Sequence, residues 1–340
     1  MAYKPDSNAM ILRRRLKQIG LSDPAVNAAW PSWWSDDAEG SASAETELRF
    51  SLARKLGLDA RSLIDEAESP RFVWRDEARF KHLTTEDEQE LSAISSFGKA
   101  LANALVSATP VNQPVPLPEA TVLRAILLRH GERPFVRLSD LLSIAWSVSI
   151  PVVHLRVFPL EQKRMAAMAV STGTRNAILL GKDSTYPAQV AFYLAHELGH
   201  IALGHLKYGH VLVDMDSQLT SPVGDIEEAE ADKFALELLT GQANLTVLPF
   251  SKHYTARQLA GDALNISAER QIEPGTLALC FGYSSGDWPT AMAAMRHIYA
   301  NPKPVWSEVN QIANRQLSFA GVSEDTASYI SAVLGRLPGS

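Results

Sequence analysis

Residues 192–206 read FYLAHELGHIALGHL, and this stretch limits what the chain can fold into more than any other. Phe192, Leu194, Ala195, Leu198, Ile201, Ala202 and Leu203 make a helix that is apolar nearly all round, so the helix belongs in a core. His196, Glu197 and His200 are carried into that core with it. Left unpaired, a buried carboxylate and two buried imidazoles cost several kcal/mol, and a bound cation removes that cost. The spacing suits one. Residues four apart lie one turn apart on nearly the same helix face, so His196 and His200 can reach a single ion. Glu197 is rotated by about 100°, close enough to approach a water on the ion without binding the ion itself. This is the geometric reason for H-E-x-x-H, and zinc suits it, because zinc favours nitrogen ligands and acidifies its bound water. Gly199 inside the helix costs about 1 kcal/mol relative to alanine, which points to another element approaching the backbone there.

Two protein ligands leave a zinc site incomplete. The acidic cluster at 227–232 is the expected source of the third. It opens DIEEAEADKFALELLTG (225–241), a strong helix that Asp225 can cap and Gly241 can end. Ala231, Phe234, Ala235, Leu238 and Leu239 define its buried stripe. Glu230 lies about 110° from the centre of that stripe and is expected to face solvent. Glu227 and Glu228 flank the centre about equally, and periodicity does not choose between them. Asp232 favours Glu228: it stands four residues later on the same side, where a carboxylate can accept the second ring N–H of a ligand histidine. His205 lies about 180° from His196 if the helix continues, and then cannot share the ion. If Gly204 breaks the helix, its geometry is open. We read His205 and His210 as polar residues at or beyond a helix end.

The rest of the chain divides by composition. Residues 1–108 read as a helical region. ILRRRLKQIG ends on Gly20, and the three tryptophans of AAWPSWWSDD (Trp30, Trp33 and Trp34) are expected to anchor a small core. Residues 45–68 read as helix, turn, helix, yet the second helix carries Asp65, Glu66 and Glu68 near Arg61, a poor match to phosphate. RFVWRDEARFKH (71–82) reads as a basic surface helix or strand with buried aromatic stems. TPVNQPVPLP (109–118) has four prolines in ten residues and is read as a linker. Helices are expected over 119–130 and 138–148, a strand over 149–158, and a hairpin over 165–181 whose second strand, 174–181, lies at a sheet edge and could align an extended substrate. The helix of the opening stretch begins near Pro187. Residues 246–340 read as mostly helical. The fold class expected is α+β: mostly helical, with a small metallopeptidase domain of zincin type at 119–245.

HELGHIALGH, followed 28 residues after His200 by ExEADxFAxxLL (228–239), resembles the ImmA/IrrE family of zinc metallopeptidase-like proteins. The likeness also takes in IAWSVSIPVVHL and the hairpin before HELGH. It implies a gluzincin-type site with Zn2+ held by His196, His200 and Glu228, and Glu197 as general base. It also implies a cytoplasmic regulator that cleaves or releases a DNA-binding repressor, or a toxin–antitoxin component. Many members sit beside or carry a repressor-type helix-turn-helix, from which the acidic 45–68 segment departs.

Three functions are therefore weighed. The first is an intracellular zinc endopeptidase, with Tyr193, Tyr208 or His210 as candidate oxyanion stabilisers. The second is a zinc-bearing module that sequesters a regulator without cutting it, and the third is DNA binding through 45–68. Manganese or iron would also suit a His/His/Glu set. The formal charge of -6 argues against a chain-wide nucleic-acid footprint. No run approaches a membrane span, and the opening residues lack the apolar segment of a signal peptide. The single cysteine, Cys280, is compatible with a reducing cytoplasm.

Overall fold

The computed structural model describes residues 7–73, 78–80, 88–111, 115–161, 165–173, 175–206, 211–215, 226–247 and 254–335. The architecture is α+β, a small mixed sheet among helices. Four helices come first: α1 (Asn8–Gln18), α2 (Asp23–Ala29), α3 (Ala42–Leu56) and α4 (Ala60–Ile64). The central set is α5 (Glu88–Ser107), α6 (Ala120–His130), α7 (Leu138–Ser147), α8 (Pro187–Ala202) and α9 (Ile226–Thr240). Five more close the chain: α10 (Ala256–Arg270), α11 (Pro274–Ser285), α12 (Trp288–Ile298), α13 (Val305–Gln316) and α14 (Glu324–Leu334). No helix among the described residues is long and apolar enough to cross a membrane.

The strands are β1 (Ala78–Phe80), β2 (Val152–His154), β3 (Met165–Ser171), β4 (Asn176–Leu180) and β5 (Val211–Met215), in the spatial order β1-β5-β3-β4-β2. β3 runs antiparallel to both β4 and β5, while β2 is parallel to β4 and β1 parallel to β5. Every residue of β3 is buried, because both faces of the sheet are covered. Met168 and Val170 join the core of α5, with Phe97 and Leu101. Ala167, one position out of phase, joins the core of α8, with Leu194, Ala195 and Leu198. The run MAAMAV thus puts methionine and valine on the α5 side and a small residue under α8, as the two-residue period of a strand requires. The α5-side cluster extends outward to Leu16, Leu52 and Leu56 of the first helices and to Tyr329 and Ile330 of α14.

The hairpin, the helix from Pro187 and the helix ending at Gly241 fall where the sequence puts them. Asp225 lies outside the described residues. Two local expectations need correction, the edge strand and the three tryptophans. The strand read over 174–181 is not at an edge: β4 lies between β3 and β2, since Val152, Val153 and His154 pair with Ile178, Leu179 and Leu180, and Thr174 itself lies outside the described residues. The outer side of β2 is itself met by α13, where the buried Asn310 side chain accepts from the His154 N–H at 2.8 Å and donates to the His154 carbonyl at 2.8 Å. The helix-turn-helix segment folds, but α4 has only five residues, and Arg15 donates to the Ser62, Leu63, Asp65 and Glu68 carbonyls around its end. Of the three tryptophans, Trp30 and Trp34 pack on the core, whereas Trp33 is exposed. Within 71–82, residues 74–77, 81 and 82 lie outside the described residues.

A buried arginine fixes the end of α9. Arg124, from α6, donates to the carbonyls of Leu238 (3.0 Å) and Leu239 (2.8 Å), which have no partner within the helix, and to that of Gln271. Replacing it with methionine leaves buried carbonyls without a donor. We expect Arg124→Met to lose about 2–3 kcal/mol of stability, read as a lowered urea midpoint. Arg124→Lys should recover only part of that, because one ammonium cannot span the three carbonyls that the planar guanidinium reaches.

Candidate metal centre

The site is built where α8 and α9 cross. α8 starts at Pro187, whose ring suits the first helical turn. Gly199 is the crossing point. A Cβ built there would stand 3.1 Å from Phe234 Cβ and 3.2 Å from the Ala231 carbonyl oxygen, so the close approach implied by this glycine is that of α9. Ala231 and Phe234 belong to the apolar stripe of α9, and Glu228 lies one turn before Ala231. The contact therefore carries Glu228 in beside the histidines.

Three ligand atoms converge. His196 Nε2 and His200 Nε2 are 2.9 Å apart, and the Glu228 carboxylate offers one oxygen to each at 3.3 Å. All three residues are buried, and no other group of histidine, cysteine or acidic residues converges in this way among the described residues. Glu228 is buried and Glu227 is half-buried, which resolves the choice that helical periodicity leaves open. Glu197, next to His196 in the chain, is buried and is not one of the three residues whose ligand atoms converge.

The outer ring atoms decide what the inner ones can do. Asp232 Oδ1 lies 2.8 Å from His196 Nδ1. A carboxylate accepts only, so Nδ1 carries the proton and Nε2 turns its lone pair inward. His200 Nδ1 lies 3.0 Å from Nδ1 of His205, and His205 Nε2 lies 3.1 Å from Glu230 Oε2. Lone pairs and a carboxylate facing one another at such distances repel unless positive charge stands between them. Two imidazole nitrogens and one carboxylate oxygen could hold a divalent metal ion.

The placement of His205 differs from a continued helix. α8 ends at Ala202, and Gly204 takes φ +75°. The Gly204 N–H donates to the Ile201 carbonyl and the His205 N–H to the His200 carbonyl, the paired bonds of a Schellman ending. That ending sets the residue after the glycine against the residue five positions before it, which brings His205 onto His200. Helical-wheel reasoning missed this contact. The signal is in the sequence, as a glycine four residues after His200 followed directly by a histidine. Glu230 faces solvent as expected, yet its carboxylate reaches back to His205.

The remaining candidates are less central. Tyr193 is half-buried, with its ring 6.4 Å from Phe192, and the Phe192 ring is 6.5 Å from that of His196. Tyr208 and His210 lie outside the described residues. Cys280 is buried in α11 and burial pushes its thiol up to about 12, so it stays protonated and acts as a packing group.

Residues 151–269 match the family model of the IrrE N-terminal-like domain, Peptidase_M78. The match begins at β2, ends within α10 and takes in all three converging residues. No curated protein and no solved structure matches the chain.

The crossing at Gly199 can be tested directly. A valine there has to push α9 away from α8. We expect Gly199→Val to lower stability by about 1–3 kcal/mol, measured by urea denaturation in chelator. The same variant should retain less metal than the parent protein when both are loaded, dialysed and assayed by elemental analysis.

Proposed function

We propose that the chain is a zinc-dependent endopeptidase. The convergence of His196 Nε2, His200 Nε2 and Glu228, all buried, with Glu197 next to His196 on the same helix, carries this reading. The peptidase-family domain over 151–269 supports it, and so does a donor set of two nitrogens and one oxygen, which zinc favours. A bound divalent cation would supply Lewis acidity, acidifying a water and polarising the scissile carbonyl. The chain's own part is to hold and move protons. Asp232 keeps His196 in the tautomer whose Nε2 is free to ligate. Glu197 is the general base: it takes the proton of the attacking water and returns it to the leaving amine.

For the substrate we propose a regulatory protein of the cytoplasm, a DNA-binding repressor or a toxin–antitoxin component. The single, deeply buried cysteine suits a reducing compartment. The resemblance of HELGHIALGH and ExEADxFAxxLL to ImmA/IrrE proteins supports a regulatory partner.

Glu197→Gln tests the chemistry. The variant should keep one equivalent of zinc by elemental analysis and lose about a hundred- to ten-thousand-fold in cleavage rate. The substrate can be found by comparing the proteomes of cells induced for the parent chain and for this variant: one protein should disappear only with the parent. Cleavage at the parental rate by the glutamine variant would sink the assignment of Glu197. A purified parent chain without stoichiometric metal would sink the hydrolytic reading altogether.

A further inference from the structure

We infer that His205 and Glu230 form a positioning relay that holds His200 in the tautomer able to bind a metal. The inference rests on the metal-site reading above and extends it to two residues that reading does not use. Glu230 is an exposed carboxylate and can only accept, so the 3.1 Å contact places a proton on His205 Nε2. His205, as a neutral ring, then has a lone pair on Nδ1. The 3.0 Å contact between the two Nδ1 atoms therefore needs its proton from His200. With Nδ1 protonated, His200 presents a lone pair at Nε2, towards His196 and Glu228. The opposite arrangement fails at both ends. It would turn a lone pair of His205 towards a carboxylate and put a proton on the ligating nitrogen of His200. The charge of Glu230 thus selects the tautomer of a ligand two rings away.

The two ligand histidines are held by different means. His196 meets Asp232 directly, whereas His200 reaches its carboxylate through an imidazole. The helix ending explains the difference. A Schellman ending ordinarily brings an apolar residue against the one five positions earlier. Here both positions are histidines, and the packing contact becomes a hydrogen bond. His205 is a positioning residue, because it acts through His200 and is not one of the three converging ligands.

Two substitutions separate relay from packing. Phenylalanine at 205 keeps the ring and its packing but removes the acceptor. Asparagine loses ring volume but sets an amide oxygen near the place of Nδ1. Zinc affinity is measured on the full chain by competition with a chromophoric chelator, with folding followed by far-ultraviolet circular dichroism. His205→Phe should bind zinc about 10- to 100-fold more weakly than the parent, and His205→Asn should stay within about threefold of it. Glu230→Ala, a change on an exposed side chain that should not disturb folding, should weaken binding by about three- to tenfold. It gives an independent answer if the phenylalanine variant fails to fold. Parental affinity in both His205→Phe and Glu230→Ala overturns the relay, and so does an asparagine variant as weak as the phenylalanine one. If the parent chain itself takes up no zinc, the metal-site reading fails first and the relay falls with it. That result is distinct from a parent that binds while its variants do not differ.

Discussion

The site depends on one missing side chain. Gly199 lets α9 approach α8 until Phe234 Cβ and the Ala231 carbonyl oxygen stand only 3.1 and 3.2 Å from where a Cβ would be. Without that approach the acidic start of α9 would be an ordinary solvated helix end, favoured there by the helix dipole. With it, Glu228 is carried below the surface and its oxygens come within 3.3 Å of two imidazoles. The helix-propensity penalty of a mid-helix glycine, about 1 kcal/mol, is small beside the several kcal/mol that separate a paired from an unpaired buried carboxylate. The contact is apolar and its consequence is electrostatic: packing sets the distance, and distance sets whether three polar groups can act together.

α9 supplies more than one group to that arrangement. Glu228, Glu230 and Asp232 leave the helix in different directions, and each meets α8 or its ending at a different depth. Glu228 points to the inner ring nitrogens and Asp232 to the outer nitrogen of one ligand. Glu230, on the solvent side, reaches the outer nitrogen of the other through His205. One rigid helix thus aims three carboxylates at three histidines, and its own orientation is fixed at the far end by Arg124. Groups that must stay aligned to fractions of an ångström sit on two packed helices over a sheet, the kind of support that holds a constellation better than loops do.

How far all this could be read from the sequence depended on whether the governing contacts were local. His196, Glu197 and His200 were legible because the i, i+4 spacing is a property of one helix. Gly199 was legible as a close approach but did not name the approaching element. Glu228 was half legible: periodicity left it level with Glu227, and the i, i+4 relation to Asp232 favoured it. For His205 the wheel leaves two cases, and the structure takes the second: Gly204 at positive φ ends the helix and turns the chain back onto His200. At β4 the local pattern shows one partner only, β3, its neighbour in the hairpin. Its other neighbour, β2, comes from before the hairpin and pairs in parallel, which no local pattern announces. The close packing of α5 on the sheet was hidden for the same reason, since Phe97 and Leu101 find Met168 and Leu179 only in three dimensions.

The closed edge bears on how an extended peptide could be held. Strand addition needs a row of backbone N–H and C=O groups facing outward. Ile178, Leu179 and Leu180 have none to offer, because β3 takes one side and β2 the other. Beyond β2, Asn310 uses its amide as a short strand would, accepting from and donating to His154, and gives a further bond to the Leu334 carbonyl. The same side chain therefore blocks that edge and ties α13 and the end of α14 to the sheet. At the opposite side β5 is already paired along Val211–Val213 with β1. Among the described residues β1 is therefore the outermost strand on that side of the sheet.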